Sequence, residues 1–251
     1  MLPVLGCGGA VGASTMALAV AESLSSLGWP VRLIECGSPT VTGLACASTA
    51  ELGVDPDTGW VQGTRDKVLI ERSAQVVSAP ARVPAPTPAT SRPSVVAGAA
   101  TDLVSIPVSV LDVGWDAGPL LAEESWLRTS VLVEPFLIVV TVASIPGMRR
   151  LEAMLALLAQ TRPLAAEVCV AVVGPRLGKW PRGIRAATGP LTRALLEDDS
   201  VLDITVDPGL ALTGLSSDSL PVTLRCTADL IADRYTADLP TPQYTVTEGP
   251  T

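Results

Sequence analysis

A short apolar run, Leu2–Leu5, leads into Gly6-Cys7-Gly8-Gly9-Ala10-Val11-Gly12-Ala13-Ser14-Thr15, and a stretch with apolar residues at helical spacing, Met16–Leu27, follows at once. That order predicts a strand, a glycine-rich turn and the start of a helix. Glycines let a backbone approach a bound anion closely, and the free amides and dipole of a helix start favour negative charge, so a phosphate fits here. Set against the phosphate-loop pattern G-x-x-x-x-G-K-[ST], Gly12 and Ser14 fall on the second glycine and the hydroxyl. Cys7 stands in place of the first glycine and Ala13 in place of the lysine. A lysine there reaches the outer phosphates, and a charge pair at ~4 Å in an effective dielectric of about 20 is worth roughly 4 kcal/mol. The methyl of Ala13 supplies none of it.

The rest of the chain narrows the chemistry. Its 251 residues are 48% hydrophobic and 17% charged, enough apolar material for one α/β domain and far from a disordered composition. Histidine is absent, which removes a Ser-His-Asp triad and a histidine-ligated zinc site. The five cysteines, Cys7, Cys36, Cys46, Cys169 and Cys226, form no C-x-x-C pair and are expected to be free thiols. A net charge of −8 argues against broad attraction to nucleic acid. No apolar run reaches ~18 residues and no signal peptide is evident, so a cytoplasmic protein without a membrane span is expected.

Strands are expected at Val31–Ile34, Val108–Leu111, Phe136–Val142, Val168–Val173 and Leu202–Val206. Helices are expected at Met16–Leu27, Gly147–Leu158 with Ser144 as N-cap, and Leu220–Tyr235. Apolar strands alternating with helices specify a doubly wound α/β domain, a mostly parallel sheet flanked by helices, over residues 1–235. Residues 55–102 read as an irregular insertion, with a charged and helical piece within Trp60–Val77 and an aperiodic Pro/Ala-rich flexible segment at Ala79–Pro93. Residues 236–251 read as a disordered tail.

Several of these features together resemble the ParA/MinD family of P-loop ATPases over nearly the whole chain. They are the glycine loop, a second strand ending at Glu35, Leu111-Asp112-Val113-Gly114 closing a buried strand, and Asp207 after the last strand. The loop Gly9-Ala10-Val11-Gly12-Ala13-Ser14-Thr15 is most similar to the altered loops of the pilus-positioning CpaE/TadZ-like branch. The resemblance implies ATP or ADP bound with Mg2+ by Gly8, Gly9, Val11, Gly12, Ala13, Ser14, Thr15 and Asp207. It implies metal contact through Ser14 and Asp112, with Asp112 and Glu35 as candidate catalytic acids. The family's signature lysine falls at Gly8 and its loop lysine at Ala13, and the chain's two lysines, Lys67 and Lys179, lie elsewhere. These departures point to a degenerate, pseudo-ATPase site in a positioning, partitioning or scaffolding protein, acting as a homodimer or with a partner of a partition, conjugation or pilus system.

Other readings remain open on the sequence. One is a weak ATPase with a nucleotide-controlled monomer–dimer switch. Another is an NAD(P)-binding Rossmann-type protein, in which Glu35 would hold the ribose hydroxyls. Ser14 and Thr15 serve either a metal and phosphate or merely the cap of the first helix. Trp60, Trp115 and Trp180 neighbour predicted strand ends, where they form either an interaction face or ordinary loop packing, with Trp115 the candidate interface residue. Arg176, Lys179, Arg182, Arg185 and Arg193 make a basic stretch that suits either a solvated helix face or a local nucleic-acid contact.

Overall fold

The computed structural model describes residues 1–86, 108–163 and 166–239. Nine strands form one sheet: β1 (Leu2–Gly6), β2 (Val31–Glu35), β3 (Ala50–Val54), β4 (Trp60–Arg65), β5 (Val68–Ser73), β6 (Val108–Asp112), β7 (Phe136–Val142), β8 (Glu167–Val173) and β9 (Val201–Ile204). Their order is β3-β4-β5-β2-β6-β1-β7-β8-β9. From β5 to β9 all neighbours pair parallel, whereas β4 pairs antiparallel with both β3 and β5. β1 lies between β6 and β7, so the turn leaving its C-terminal edge opens between two neighbouring strand ends, the usual place for a ligand in an open parallel sheet.

The helices α1 (Ala13–Ser26), α2 (Ala117–Ala122), α3 (Trp126–Val133), α4 (Ile145–Thr161), α5 (Arg182–Ala187), α6 (Pro190–Glu197), α7 (Pro208–Thr213) and α8 (Val222–Thr236) flank the sheet. One apolar core joins α1 and α8 to one side of the strands through Met16, Val20, Leu24, Leu224 and Ile231. The other is built around α2–α4 with Leu120, Leu127, Met148, Leu151 and Leu155. Alternation explains the split: on β1 Leu2 and Val4 belong to the first core and Leu5 to the second. Ser144 caps α4 by accepting from the Gly147 amide at 3.0 Å, as its position before the helical run predicted.

The helical piece expected within Trp60–Val77 is instead the hairpin β4–β5, closed by a turn at Asp66 with φ +50°. Arg65 and Glu71 of this hairpin are buried, while Asp66 and Lys67 at its turn are exposed. Arg32 donates to Ser109 at 2.8 Å and faces Glu71 at 3.5 Å, and Gln62 also donates to Glu71. Paired charges and hydrogen bonds make such burial tolerable. The irregular stretch therefore begins after Ser73.

Nor is the Pro/Ala-rich segment wholly aperiodic. Pro80–Arg82 form a 3-10 turn, and Val83 is buried, accepting a 2.8 Å hydrogen bond from the Trp126 indole. The remainder of that segment, 87–93, and the tail from 240 lie outside the described residues. Among the described residues no helix is long and apolar enough to cross a membrane.

Candidate functional site

The loop after β1 is shaped by two left-handed residues, Ala10 at φ +57° and Gly12 at φ +94°. It is also folded tightly on itself: a Cβ on Gly6 would stand 3.0 Å from the Val11 side chain and 3.2 Å from the Gly8 carbonyl. Gly12 is the N-cap of α1 and offers no side-chain cap. Ser14 and Thr15 lie inside the helix, so the capping role left open for them is not what they do. The first-turn amides lack intrahelical partners by geometry and point out of the loop.

A cavity of about 710 Å³ opens there, within the range of small-molecule sites. Gly8–Thr15 form one wall, Asp112 and Gly114–Asp116 another, and Ile204–Asp207 with Leu210 and Leu215 a third. The structure thus gathers Gly8, Gly9, Val11, Gly12, Ala13, Ser14, Thr15, Asp112, Trp115 and Asp207 around one space. Among the described residues lining it are three carboxylates, Asp112, Asp116 and Asp207, and no lysine or arginine.

Asp112 ends β6 with no exposed surface, and neither of its carboxylate oxygens has a hydrogen-bond partner among the described residues. Burial pushes its carboxyl up to about 7; the Ser14 hydroxyl nearby opposes the shift without reaching hydrogen-bond geometry, and Glu35 adds to it. Glu35 is the register partner of Asp112 on β2. Its own carboxyl is raised, chiefly by burial and against a hydrogen bond donated by Thr42. Both carboxylates are buried, but Asp112 lines the cavity and Glu35 does not. A ribose in the cavity would not meet it, which removes the residue on which the dinucleotide reading rests.

Around the rim, the loops after β2 and β6 touch backbone to backbone. A Cβ on Gly114, which has φ +64°, would stand 2.7 Å from the Gly37 Cα. That contact brings Trp115 over the cavity, and its indole donates to the Cys36 carbonyl at 2.7 Å. Asp207 caps α7 by accepting from the Leu210 amide at 2.8 Å, so one of its oxygens is already engaged.

The tryptophans do not form a common face. Trp60 and Trp180 are buried, and the Trp180 indole donates to Pro175 at 3.0 Å; Trp115 alone of the three lines the cavity. Arg176, Lys179, Arg182, Arg185 and Arg193 are exposed, on the segment around α5 and on α6, and none of them lines the cavity. Cys7, Cys36 and Cys169 are buried free thiols, while Cys46 and Cys226 are exposed. Burial pushes Cys7 up to about 12 despite opposing contributions from Thr141 and Arg150, so it is no nucleophile.

Sequence reasoning missed Arg150, whose guanidinium lies against Gly8, because nothing in a helix far along the chain marks it as a neighbour of the loop. Val41, Val77 and Ser78, which also line the cavity, were missed for the same reason.

This sheet, with a glycine loop at the edge of its central strand and a buried aspartate on the strand beside it, defines a P-loop NTPase-type α/β domain. More narrowly, the fold is that of the MinD and ParA ATPases. A chain of the MinC:MinD cell division protein complex of Aquifex aeolicus matches with a TM-score of 0.54 at 14% identity, covering 97% of this chain and 98% of that one. A ParA family ATPase from Chlorobium tepidum TLS matches at 0.50 and 17% identity, covering 92% and 97%. Cobyrinic acid a,c-diamide synthase from Mycobacterium smegmatis, a structure with bound ADP and magnesium, matches at 0.50 and 12% identity, covering 97% and 98%. No protein-family model and no curated protein matches the sequence.

Proposed function

We propose that this chain is a positioning, partitioning or scaffolding protein of the MinD/ParA type whose cavity holds ATP or ADP with Mg2+ weakly and does not turn it over. The observation that carries the reading is the composition of the cavity. It has a glycine-loop helix start and a fully buried, unpartnered Asp112, but no lysine or arginine among the described residues lining it. The loop amides and helix dipole suit phosphates. Asp112 and Ser14 offer the oxygen ligands that Mg2+ favours, and the bound ion would neutralise phosphate charge. Metal-free polyphosphate would instead meet Asp112, Asp116 and Asp207 uncompensated. Turnover requires a cation aimed from the loop at the charge that develops on the transferred phosphoryl, and Ala13, in the place of the loop lysine, supplies none.

Loss of that chemistry leaves the binding face for assembly. Trp115 lies half-buried at the rim, and truncating an interface tryptophan commonly costs ~2 kcal/mol or more, roughly a thirtyfold loss in affinity. We place a homodimer or a dedicated partner protein on this face; the MinD-type fold is found in a MinC:MinD cell division protein complex of Aquifex aeolicus. The runner-up, a weak ATPase with a monomer–dimer switch, rests on Asp112 and Ser14 alone. Two measurements separate them. Phosphate release from Mg·ATP should not exceed background, and sedimentation should show nucleotide-independent self-association that Trp115→Ala weakens. Hydrolysis abolished by Asp112→Ala would establish the ATPase instead, and a wild type that stays monomeric would remove the dimer.

A further inference from the structure

We propose that Arg150, which lies against Gly8 just outside the cavity lining, is the phosphate-binding cation of this site. Arg150 projects from the second turn of α4, and its Nη1 lies 3.1 Å from where a Cβ on Gly8 would stand, with Cζ and Cδ at 3.8 Å. Gly8 is itself part of the cavity wall. The absent side chain at Gly8 is therefore what makes room for the guanidinium.

Nothing else among the described residues explains why the charge is there. Arg150 is exposed and makes no hydrogen bond or ion pair with a described residue. Its helical neighbours at i±3 and i±4, Pro146, Gly147, Ala153 and Met154, include no acid. A cation near the N-terminal end of a helix gains nothing from the helix dipole. Toward the loop, however, its field is felt: it opposes the rise of the Cys7 thiol. The second observation pointing to a ligand is Asp112, fully buried in the wall of the same cavity with both oxygens unpartnered. A phosphate–metal pair between the two would satisfy both: Mg2+ on Asp112 and a phosphate oxygen toward Arg150. Guanidinium is suited to that task by its planar array of donors, and charge-assisted bonds of this kind are the strong ones.

This inference rests on the nucleotide reading above and makes Arg150 a residue specific to the phosphates. The test is calorimetric titration with ADP plus Mg2+ and, separately, with adenosine. Arg150→Gln should lower ADP affinity about tenfold or more and leave adenosine affinity unchanged. Gly8→Ala should lower ADP affinity too, by displacing the guanidinium; Gly8 has no positive φ, so the backbone accepts alanine. Gly8→Lys placed in the Arg150→Gln chain should restore binding by returning a cation to the same space. ADP binding by Arg150→Gln equal to that of the wild type, or equal losses for ADP and adenosine, would overturn the assignment while the nucleotide site stands. A wild type that binds neither ligand would overturn both.

Discussion

Replacing Asp112 with Asn should make the protein more stable, and by an amount that grows with pH. An aspartate ordinarily titrates at 3.8, whereas burial holds Asp112 at about 7. Between those values the unfolded chain has released the proton that the folded chain still holds, so stability falls as pH rises through this window and the loss is complete above pH ~8. Each step of one in pKa is worth about 1.4 kcal/mol, which puts the destabilisation by Asp112 at ~4 kcal/mol at pH 8 and ~1.7 kcal/mol at pH 5, where the folded chain still holds the proton. Asn has nearly the same shape and never charges. The difference between Asp112→Asn and wild type should therefore be larger at pH 8 than at pH 5 by ~2.5 kcal/mol, or about 5–10 °C in melting temperature for a chain of this size. Relief of Glu35, whose carboxyl is also raised and pairs in register with Asp112, acts in the same direction. Urea unfolding at several pH values, with equal slopes for the two proteins, gives the number directly. A difference that does not change with pH, or an Asn variant less stable than wild type at pH 8, would show that Asp112 is not a buried uncompensated charge.

Ala13→Lys should raise affinity for Mg·ADP about tenfold or more, since it returns a loop charge to a cavity that lacks one; unchanged affinity in titration would mean that the loop no longer cradles phosphate. Arg65→Ala should cost ~3 kcal/mol in chemical unfolding, because this buried guanidinium pairs with Glu22 and donates to the carbonyls of Ala47, Ser216 and Asp218. The same change should speed proteolysis near Gly214–Pro221, the segment that Arg65 holds against the cavity. Gly114→Ala should cost ~1–3 kcal/mol, measured as a fall in melting temperature, since φ +64° and the Gly37 Cα at 2.7 Å both resist a Cβ.

Where a local pattern carried the information, it was visible before the structure. Phe136–Val142 is an apolar run interrupted at Thr141 and is β7 to the residue; the Ser144 cap, the glycine loop and the aspartate ending β6 were likewise placed by short-range signals. The hairpin β4–β5 was not, because Arg65, Glu71 and Arg72 break the apolar alternation of its strands, and their partners Glu22, Arg32 and Glu51 are distant in sequence or on another strand. The tryptophans misled for a related reason. Trp60 and Trp180 follow loops but pack inward, and whether an aromatic at a strand end faces solvent depends on what covers it. Arg150 illustrates the remaining gap: loop and helix are far apart in the chain, so the contact of the guanidinium with Gly8 has no trace in local spacing.

On the function proposed above, the cavity binds adenine nucleotide as its magnesium complex and leaves it intact. Calorimetric titration of the wild-type chain with ATP and Mg2+, followed by assay of the recovered ligand for ADP, tests it most directly. One saturable site, lost on removing Mg2+, and ATP recovered unhydrolysed are expected. No saturable heat, or ADP formed at a rate that Asp112→Ala abolishes, would contradict it.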